Sequence, residues 1–256
     1  MTTVFKKTQM LTDTPMHYCP GCTHGITHRL IAESVEELGF FGNCIAVAPV
    51  GCAVLAYDYF NCDCVEAAHG RAPAVATGIK RVHPDKLVFA YQGDGDLASI
   101  GTAEIIHAAT RGENISVIFI NNAIYGMTGG QMAPTTLIGQ KATTAQFGRD
   151  PLTNGYPLKV CELLSNVDGV AYIERVSVTS VKNINNAKNA IKKALCIQKE
   201  KKGFSLIEVL STCPTNWKMS PNDAMKWVDE NMTKQFPPGV FKDTYAAQAE
   251  PKEVSK

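Results

Sequence analysis

The chain has 256 residues and nearly balanced charge, with 25 Lys and Arg against 24 Asp and Glu and a formal net charge of +1. Balanced charge without a basic cluster argues against a nucleic-acid surface. No apolar run approaches the ~20 residues that span a membrane, and the N-terminus lacks the apolar core of a signal peptide, so we expect a cytoplasmic protein. Nine cysteines without a secretory signal favour reduced thiols or a metal site over disulfides.

The N-terminal part predicts an irregular arm, a thiol loop, a helix and a buried strand. Residues 1–17 form the arm, and a Cys-x-x-Cys loop with Cys19 and Cys22 follows it. Such a loop is a redox pair, half of a zinc site or half of an iron–sulfur site, and the residues alone leave these readings open. Apolar spacing predicts a helix over 26–38, and the apolar run over 43–50 predicts a strand.

Three polar or small residues, His69, Gly70 and Arg71, precede a helix that is predicted to begin at Pro73. The N-terminus of a helix presents free N–H groups, so His69 and Arg71 are well placed to hold anionic oxygens. A packing histidine and an ion pair at a subunit interface are the alternatives for these two side chains.

The middle of the chain predicts a strand–helix–strand unit. A buried strand over 87–91 is followed by a helix over 98–110, and a β-branched strand spans 115–120. Strands that alternate with helices indicate an α/β fold, here an open, mostly parallel sheet with helices on both faces. In such a sheet, ligands bind at the carboxyl ends of the strands.

Polar residues follow both strands of this unit. The first strand ends at Gly93-Asp94-Gly95 and the second at Asn121-Asn122. The glycines let the backbone approach phosphate oxygens, and the Asp94 carboxylate and Asn122 amide oxygen are hard ligands of the kind that magnesium prefers. The pattern predicts a diphosphate held through a divalent cation, and an ordinary Gly-Asp-Gly turn is the alternative.

The second half of the chain predicts a cofactor loop and the remaining elements. Residues 124–140 are rich in Gly, Thr and Met and should fold over the ligand. Helices are expected over 160–167, 181–201 and 222–232, and strands over 171–175 and 204–210. We therefore expect one domain over 18–235, and a tail over 236–256 that is loose or lies on a partner.

The motifs resemble those of a known enzyme class. Gly93-Asp94-Gly95, 25 intervening residues and Asn121-Asn122 resemble the thiamine-diphosphate signature of thiamine-dependent enzymes. The segment NNAIYGMTGGQMAPTT over 121–136 resembles a narrower family, the β subunits of the 2-oxoacid:ferredoxin oxidoreductases. Within that family it is most similar to the 2-oxoglutarate and branched-chain 2-oxoacid types, and pyruvate is the alternative substrate.

This resemblance implies three cofactors, namely thiamine diphosphate, Mg²⁺ and a 4Fe–4S cluster. The four family cysteines match Cys19, Cys22, Cys52 and Cys213. The magnesium ligands match Asp94, Asn122 and the backbone of Ile124. Contacts with thiamine diphosphate are implied for Val50, Gly51, Cys52, Ala53, His69, Gly70, Arg71, Gly93, Gly95, Asp96, Gly126 and Met127.

The implied activity is the oxidative decarboxylation of a 2-oxoacid with coenzyme A to acyl-CoA, CO2 and reduced ferredoxin. Thiamine enzymes also use a glutamate on the aminopyrimidine ring, which we expect from an α subunit, with γ and ferredoxin-like δ subunits as further partners. Two alternatives remain open. One is the diphosphate-binding half of a non-redox, two-chain thiamine decarboxylase or ligase, and the other is a non-catalytic zinc- or cluster-binding electron-transfer module.

Overall fold

The computed structural model of the chain describes residues 6–245, in which seven strands form one sheet. The strands are β1 (Cys44–Ala48), β2 (Asp63–Glu66), β3 (Leu87–Gly93), β4 (Ser116–Asn121), β5 (Val170–Ser177), β6 (Phe204–Leu210) and β7 (Gly239–Asp243). Their order in the sheet is β2-β1-β3-β4-β6-β5-β7. All neighbouring pairs are parallel except β5 and β7.

Helices cover both faces of this sheet. They are α1 (His24–Glu37), α2 (Ala56–Tyr59), α3 (Ala72–Val82), α4 (Thr102–Thr110), α5 (Pro151–Asn154), α6 (Val160–Ser165), α7 (Val181–Lys199), α8 (Pro214–Trp217), α9 (Pro221–Trp227) and α10 (Thr233–Gln235). Single π-helical turns, Asp96–Ile100 and Val228–Met232, precede α4 and α10. One core contains α1 and α7, and the other contains α3, α4 and α6. The predicted α/β architecture is confirmed.

The central strands are buried on both faces, which explains their continuous apolar sequences. Every residue of β1, β4 and β6 is buried, as expected for parallel strands covered by helices on both sides. From β1 the chain runs outwards to β2 and then crosses back to β3. The strand order therefore reverses between β1 and β3, and a ligand site is expected at the carboxyl ends of these two strands.

The structure corrects the predicted C-terminal tail. Residues Gly239–Asp243 form β7, an antiparallel edge strand beside β5. The buried guanidinium of Arg175 lies 4.7 Å from the ring centre of Phe241 and helps to hold this strand. The segment carries too few apolar residues to show a strand pattern, and it pairs because β5 offers an open edge. The tail prediction is wrong for residues 236–245, and residues 246–256 lie outside the described part of the chain.

Several short elements, among them α2, β2, α5 and α8, have no counterpart in the sequence-based prediction. β2 is an edge strand whose residues are exposed or half-buried, so its sequence lacks the apolar run of the central strands. The predicted helix over 98–110 begins earlier, with the π-helical turn at Asp96. Across residues 6–245, no helix combines the length and the apolar composition needed to cross a bilayer.

His28 on α1 is buried among aromatic rings. Its Nε2 lies 2.7 Å from the Tyr18 hydroxyl, and its ring centre lies 4.5 Å from that of Phe60 and 4.8 Å from that of Tyr91. Burial lowers the pKa of His28 well below 6.5. Because the unfolded chain takes up a proton below pH 6.5 that the folded protein excludes, the folded state loses stability as the pH falls through that range.

Replacing His28 with Phe tests this linkage. In the wild type, His28 should contribute a fall of about 1.4 kcal/mol in the free energy of unfolding for each pH unit below pH 6.5. In His28→Phe this contribution should be absent. Urea denaturation followed by circular dichroism between pH 5 and 7.5 measures it. The control His83→Phe replaces an exposed ring and should keep the wild-type slope. An unchanged slope in His28→Phe would contradict the assignment.

Candidate functional site

A cleft opens at the carboxyl ends of β1, β3 and β4, where the strand order reverses. Its lining comes from α1 and from the loops after these strands. The lining residues are His24, Pro49, Val50, Gly51, Cys52, Ala53, His69, Gly93, Asp94, Gly95, Asp96, Ile120, Asn122, Ile124, Tyr125, Gly126, Met127 and Thr128. The structure thus brings together the predicted magnesium ligands and all predicted cofactor contacts except Gly70 and Arg71.

Three polar groups converge in this cleft, namely the Asp94 carboxylate, the Asn122 amide and the Ile124 carbonyl. With the Asn122 amide oriented to match its neighbours, its nitrogen donates to the Ile124 carbonyl oxygen at 2.7 Å and to Asp94 Oδ2 at 3.2 Å. Turning the amide over would present its oxygen to the same point, and an octahedral Mg²⁺ with ligands at about 2.1 Å places neighbouring oxygens about 3 Å apart. Carboxylate, amide and carbonyl oxygens are the kind of ligands that Mg²⁺ takes.

The Asp94 carboxylate is buried and held by three donors. Thr135 Oγ1 donates to Oδ2 at 2.7 Å, the Ile124 N–H donates to Oδ2 at 3.2 Å, and the Gly95 N–H donates to Oδ1 at 2.9 Å. Burial raises the pKa of Asp94 to about 7, and these hydrogen bonds oppose the rise. An ionised carboxylate in this position is costly on its own, and a bound cation would stabilise it.

A left-handed alanine directs the other two groups. Ala123 lies between Asn122 and Ile124 with φ 56°, a conformation that costs an L-residue about 1–2 kcal/mol. Its N–H donates to Asn121 Oδ1 at 3.1 Å, and its carbonyl accepts from Thr136 Oγ1 at 2.7 Å. These bonds hold the turn, so that the Asn122 side chain and the Ile124 carbonyl face the same point.

The buried Glu208 on β6 fixes Asn121 in turn. Asn121 Nδ2 donates to Glu208 Oε1 at 2.7 Å, while Cys161 Sγ and Arg175 Nε donate to Oε2 at 2.9 and 2.8 Å. The guanidinium of Arg175 continues to the half-buried carboxylate of Glu162. A hydrogen-bonded chain therefore runs from the protein surface to the strained turn. Sequence analysis missed Glu208 because it lies inside an apolar strand.

Asp96 joins the loops around the cleft. Its Oδ1 accepts from the N–H groups of Gly70 at 2.9 Å and Val50 at 3.3 Å, and lies 2.6 Å from His69 Nδ1. Its Oδ2 accepts from Gln92 Nε2 at 2.7 Å. The carboxylate thus connects the ends of β1 and β3 to the loop after β2, and both of its oxygens accept hydrogen bonds from these segments.

Arg71 and Gly70 lie outside the cleft lining. Arg71 forms an ion pair with Glu104 on α4, and its side chain is 48% exposed. Gly70 has φ 78°, and a Cβ on it would lie 2.6 Å from the Gly101 nitrogen, so this glycine permits close contact between two backbones. Arg71 thus pairs within the chain rather than in the cleft, and its predicted contact with the diphosphate and the alternative of an ion pair at a subunit interface both stay predictions.

The four predicted cluster cysteines come together beside the cleft. Cys52 Sγ and Cys213 Sγ lie 3.1 and 3.5 Å from the position that a Cβ on Gly126 would take. The Cys22 N–H donates to the Cys19 carbonyl at 3.0 Å and closes the thiol loop. Burial, followed by the nearby thiols of Cys213, Cys52 and Cys19, raises the pKa of Cys22 to about 12.

No single-ion site is formed by these thiols. Across residues 6–245, no three His, Cys, Asp or Glu side chains surround a single metal position. Burial raises the pKa of Cys52 to about 11, and the charges of Cys213, Cys19 and Asp94 act in the same direction.

Three residues in or beside the cleft were not named as site residues from the sequence. Burial lowers the pKa of His24 to about 3, and its Nδ1 lies 2.6 Å from the Tyr91 hydroxyl. Thr135 and Tyr125 belong to the loop 124–140 that was predicted to fold over the ligand, and Thr135 Oγ1 donates to Asp94. Tyr125 packs so closely on Gly95 that a Cβ there would lie 2.1 Å from its ring, although Gly95 was predicted to approach phosphate oxygens.

Comparisons with known proteins agree with this site. Residues 49–209 match the family described as thiamine pyrophosphate enzyme, C-terminal TPP binding domain. The chain is 52% identical over 248 residues to the ketoisovalerate oxidoreductase subunit VorA of Methanothermobacter thermautotrophicus, covering 97% of this chain and 52% of the relative. It is 41% identical over 224 residues to the 2-oxoglutarate synthase subunit KorB of Methanocaldococcus jannaschii, covering 85% and 78%.

A solved structure shares the fold. It is the 2-oxoglutarate:ferredoxin oxidoreductase from Magnetococcus marinus, with 2-oxoglutarate, coenzyme A and succinyl-CoA bound. The TM-score is 0.75 at 24% identity, over 94% of this chain and 86% of the other.

The fold and the cleft define a thiamine-diphosphate-binding domain. The chain belongs to the thiamine pyrophosphate enzymes, among the subunits of the 2-oxoacid:ferredoxin oxidoreductases. It spans about half the length of the ketoisovalerate oxidoreductase subunits that it matches. The family resemblance drawn from the sequence is confirmed.

The network behind the strained turn can be tested with Glu208→Gln. Loss of the charge weakens the hold on Asn121, so thiamine diphosphate should bind about 10- to 100-fold more weakly in the presence of Mg²⁺, as for other partners of metal ligands. Isothermal titration calorimetry measures the dissociation constant. Glu162→Gln is the matched control, because Glu162 pairs with the same arginine without contacting Asn121. Equal binding in wild type and Glu208→Gln, or equal losses in both variants, would contradict this role.

Proposed function

We propose that the chain is the thiamine-diphosphate-binding, β-type subunit of a 2-oxoacid:ferredoxin oxidoreductase. It would take part in the oxidative decarboxylation of a 2-oxoacid with coenzyme A, giving acyl-CoA, CO2 and reduced ferredoxin. One observation carries this proposal: the Asp94 carboxylate, the Asn122 amide and the Ile124 backbone share a cleft with Cys52, one of the four family cysteines. A cation site for a diphosphate and a site for an electron acceptor are therefore adjacent.

The oxygens of Asp94, Asn122 and the Ile124 backbone would hold Mg²⁺, which in turn would hold the diphosphate. Thiamine diphosphate supplies a carbon nucleophile and an electron sink for a 2-oxoacid when it is bound. The chain's own residues shape its surroundings. Gly93 leaves the backbone open to phosphate oxygens, because nothing lies within 4 Å of the position that its Cβ would take, whereas the Tyr125 ring covers Gly95. His24 lines the cleft, and burial keeps it neutral.

The thiols of Cys19, Cys22, Cys52 and Cys213 would hold a 4Fe–4S cluster. Mutual proximity of the four thiols, and the presence of Cys52 in the cleft lining, support this assignment. The cluster would accept electrons one at a time and pass them to ferredoxin. A non-redox thiamine enzyme would not require this arrangement of thiols.

The site requires a partner chain. No glutamate lines the cleft within the described residues, so the carboxylate that activates the aminopyrimidine would come from an α subunit. Relatives are named as subunits, which supports an assembly of more than one chain. We propose γ and ferredoxin-like δ subunits as its further members. We propose a cytoplasmic location for this assembly.

The lining favours an apolar substrate side chain. No Lys or Arg lines the cleft in the described part of the chain, whereas Val50, Ile120 and Met127 do. A second carboxylate, as in 2-oxoglutarate, would find no cationic partner on this chain. Together with the relative named for ketoisovalerate, this makes a branched-chain 2-oxoacid our first candidate substrate, with 2-oxoglutarate second.

Anaerobic purification with iron, zinc and thiamine analysis tests the cofactor set. We expect about four iron atoms per chain and a brown absorption band. Cys52→Ser and Cys213→Ser should lose iron, whereas Cys196→Ser, on the distant helix α7, should retain it. Asp94→Asn should retain iron but lose Mg²⁺-dependent binding of thiamine diphosphate. Stoichiometric zinc in place of iron would favour an electron-transfer or structural metal module instead.

A coupled assay tests the partner and the substrate. The isolated chain should show no turnover, and activity should appear on addition of the α subunit, with ketoisovalerate giving a higher kcat/KM than 2-oxoglutarate. Ferredoxin reduction with coenzyme A present measures both. Full turnover by the isolated chain would refute the need for a partner, and a preference for 2-oxoglutarate would reverse the substrate assignment.

A further inference from the structure

The side-chain amide of Asn216 connects two parts of the site. Its Nδ2 donates to Cys213 Sγ at 3.2 Å and to the Gly126 carbonyl at 2.9 Å. One amide nitrogen carries two protons, so both bonds can form at the same time. Asn216 therefore links a proposed cluster ligand to the loop that lines the cofactor cleft.

The short helix α8 holds Asn216 in place. The helix follows Cys213 directly, and the Trp217 N–H donates to the Cys213 carbonyl at 2.9 Å. The indole of Trp217 packs on Trp227, with ring centres 4.4 Å apart. The amide of Asn216 is thus directed at the thiol three residues before it by a packed and hydrogen-bonded backbone.

The loop that contains Gly126 and Gly130 packs closely against Asn216 and two of the thiols. A Cβ on Gly126 would lie 3.1 Å from Cys52 Sγ and 3.5 Å from Cys213 Sγ, so the loop backbone packs directly on two thiols. A Cβ on Gly130 would lie 3.0 Å from Asn216 Oδ1. Asn216 consequently fits between the thiol of Cys213 and the two glycine positions of this loop.

We propose that Asn216 is a positioning residue that raises the reduction potential of the cluster and fixes the cofactor loop against it. The proposal rests on the proposed function. An N–H···S bond stabilises negative charge on the thiolate, and the reduced cluster carries one more negative charge than the oxidised cluster. The bond therefore favours uptake of the electron, which the 2-oxoacid gives up as it is oxidised, and no covalent bond forms or breaks in the transfer to the cluster.

A redox titration of the full chain, purified anaerobically and followed by electron paramagnetic resonance, tests the potential. Asn216→Leu removes both side-chain N–H donors and keeps a side chain of similar size. At a fixed potential, the ratio of reduced to oxidised cluster in this variant should fall about tenfold. This corresponds to a change of about −59 mV in the midpoint reduction potential of a one-electron couple. The control Asn222→Leu, at an exposed position of α9, should match wild type.

A glycine pair provides a second test that leaves Asn216 itself intact. Gly129 and Gly130 have φ 103° and 83°, so alanine is strained at both. At Gly130 the added Cβ would meet Asn216, whereas at Gly129 nothing lies within 4 Å. Gly130→Ala should therefore lower the potential in the same direction as Asn216→Leu, and Gly129→Ala should leave it unchanged.

Amide hydrogen exchange over residues 124–132 tests the second part of the proposal. Exchange should be faster in Asn216→Leu than in wild type or Asn222→Leu, because the Gly126 carbonyl loses its side-chain donor and keeps only the long hydrogen bond from the Gly129 N–H at 3.5 Å. Unshifted potentials in Asn216→Leu and Gly130→Ala, with iron content intact, would overturn this inference alone. A wild-type chain without an iron–sulfur cluster would overturn the proposed function and, with it, this inference.

Discussion

The site depends on three polar groups that the fold holds together. The Asp94 carboxylate, the Asn122 amide and the Ile124 carbonyl face one another, and the amide nitrogen of Asn122 can donate to the other two. A left-handed Ala123 lies between Asn122 and Ile124, and hydrogen bonds from Thr135, Gly95 and Ile124 hold the Asp94 carboxylate. Folding thus brings together groups whose oxygens are the kind of ligands that Mg²⁺ takes.

The rest of the sheet supports this arrangement from two sides. Asp96 accepts hydrogen bonds from the end of β3, from the loop after β1 and from the loop after β2, so it connects the walls of the cleft. Glu208 acts from β6, where its buried carboxylate holds Asn121 and, through it, the strained turn. Neither carboxylate is a proposed metal ligand. The oxygens of both accept hydrogen bonds from protein groups that surround the proposed ligands.

Sequence reasoning succeeded where local patterns carry the information. The apolar runs of the central strands and the polar residues at their ends predicted the α/β sheet and brought Asp94 and Asn122 to one edge. It failed where long-range pairing decides the outcome. β7 is held by an open sheet edge and a buried arginine, and Arg71 turns to Glu104 on a neighbouring helix. Such partners are distant in sequence and leave no periodic signal.

The central claim, that these three oxygens hold the divalent cation of thiamine diphosphate, can be tested with manganese in place of magnesium. Mn²⁺ accepts the same oxygen ligands, and the free ion gives an electron paramagnetic resonance signal that is lost when the ion binds to the protein. In the presence of thiamine diphosphate, the account predicts one tightly bound Mn²⁺ per chain and its loss in Asn122→Leu. No tight Mn²⁺ site in the wild type, or equal binding in Asn122→Leu, would contradict it.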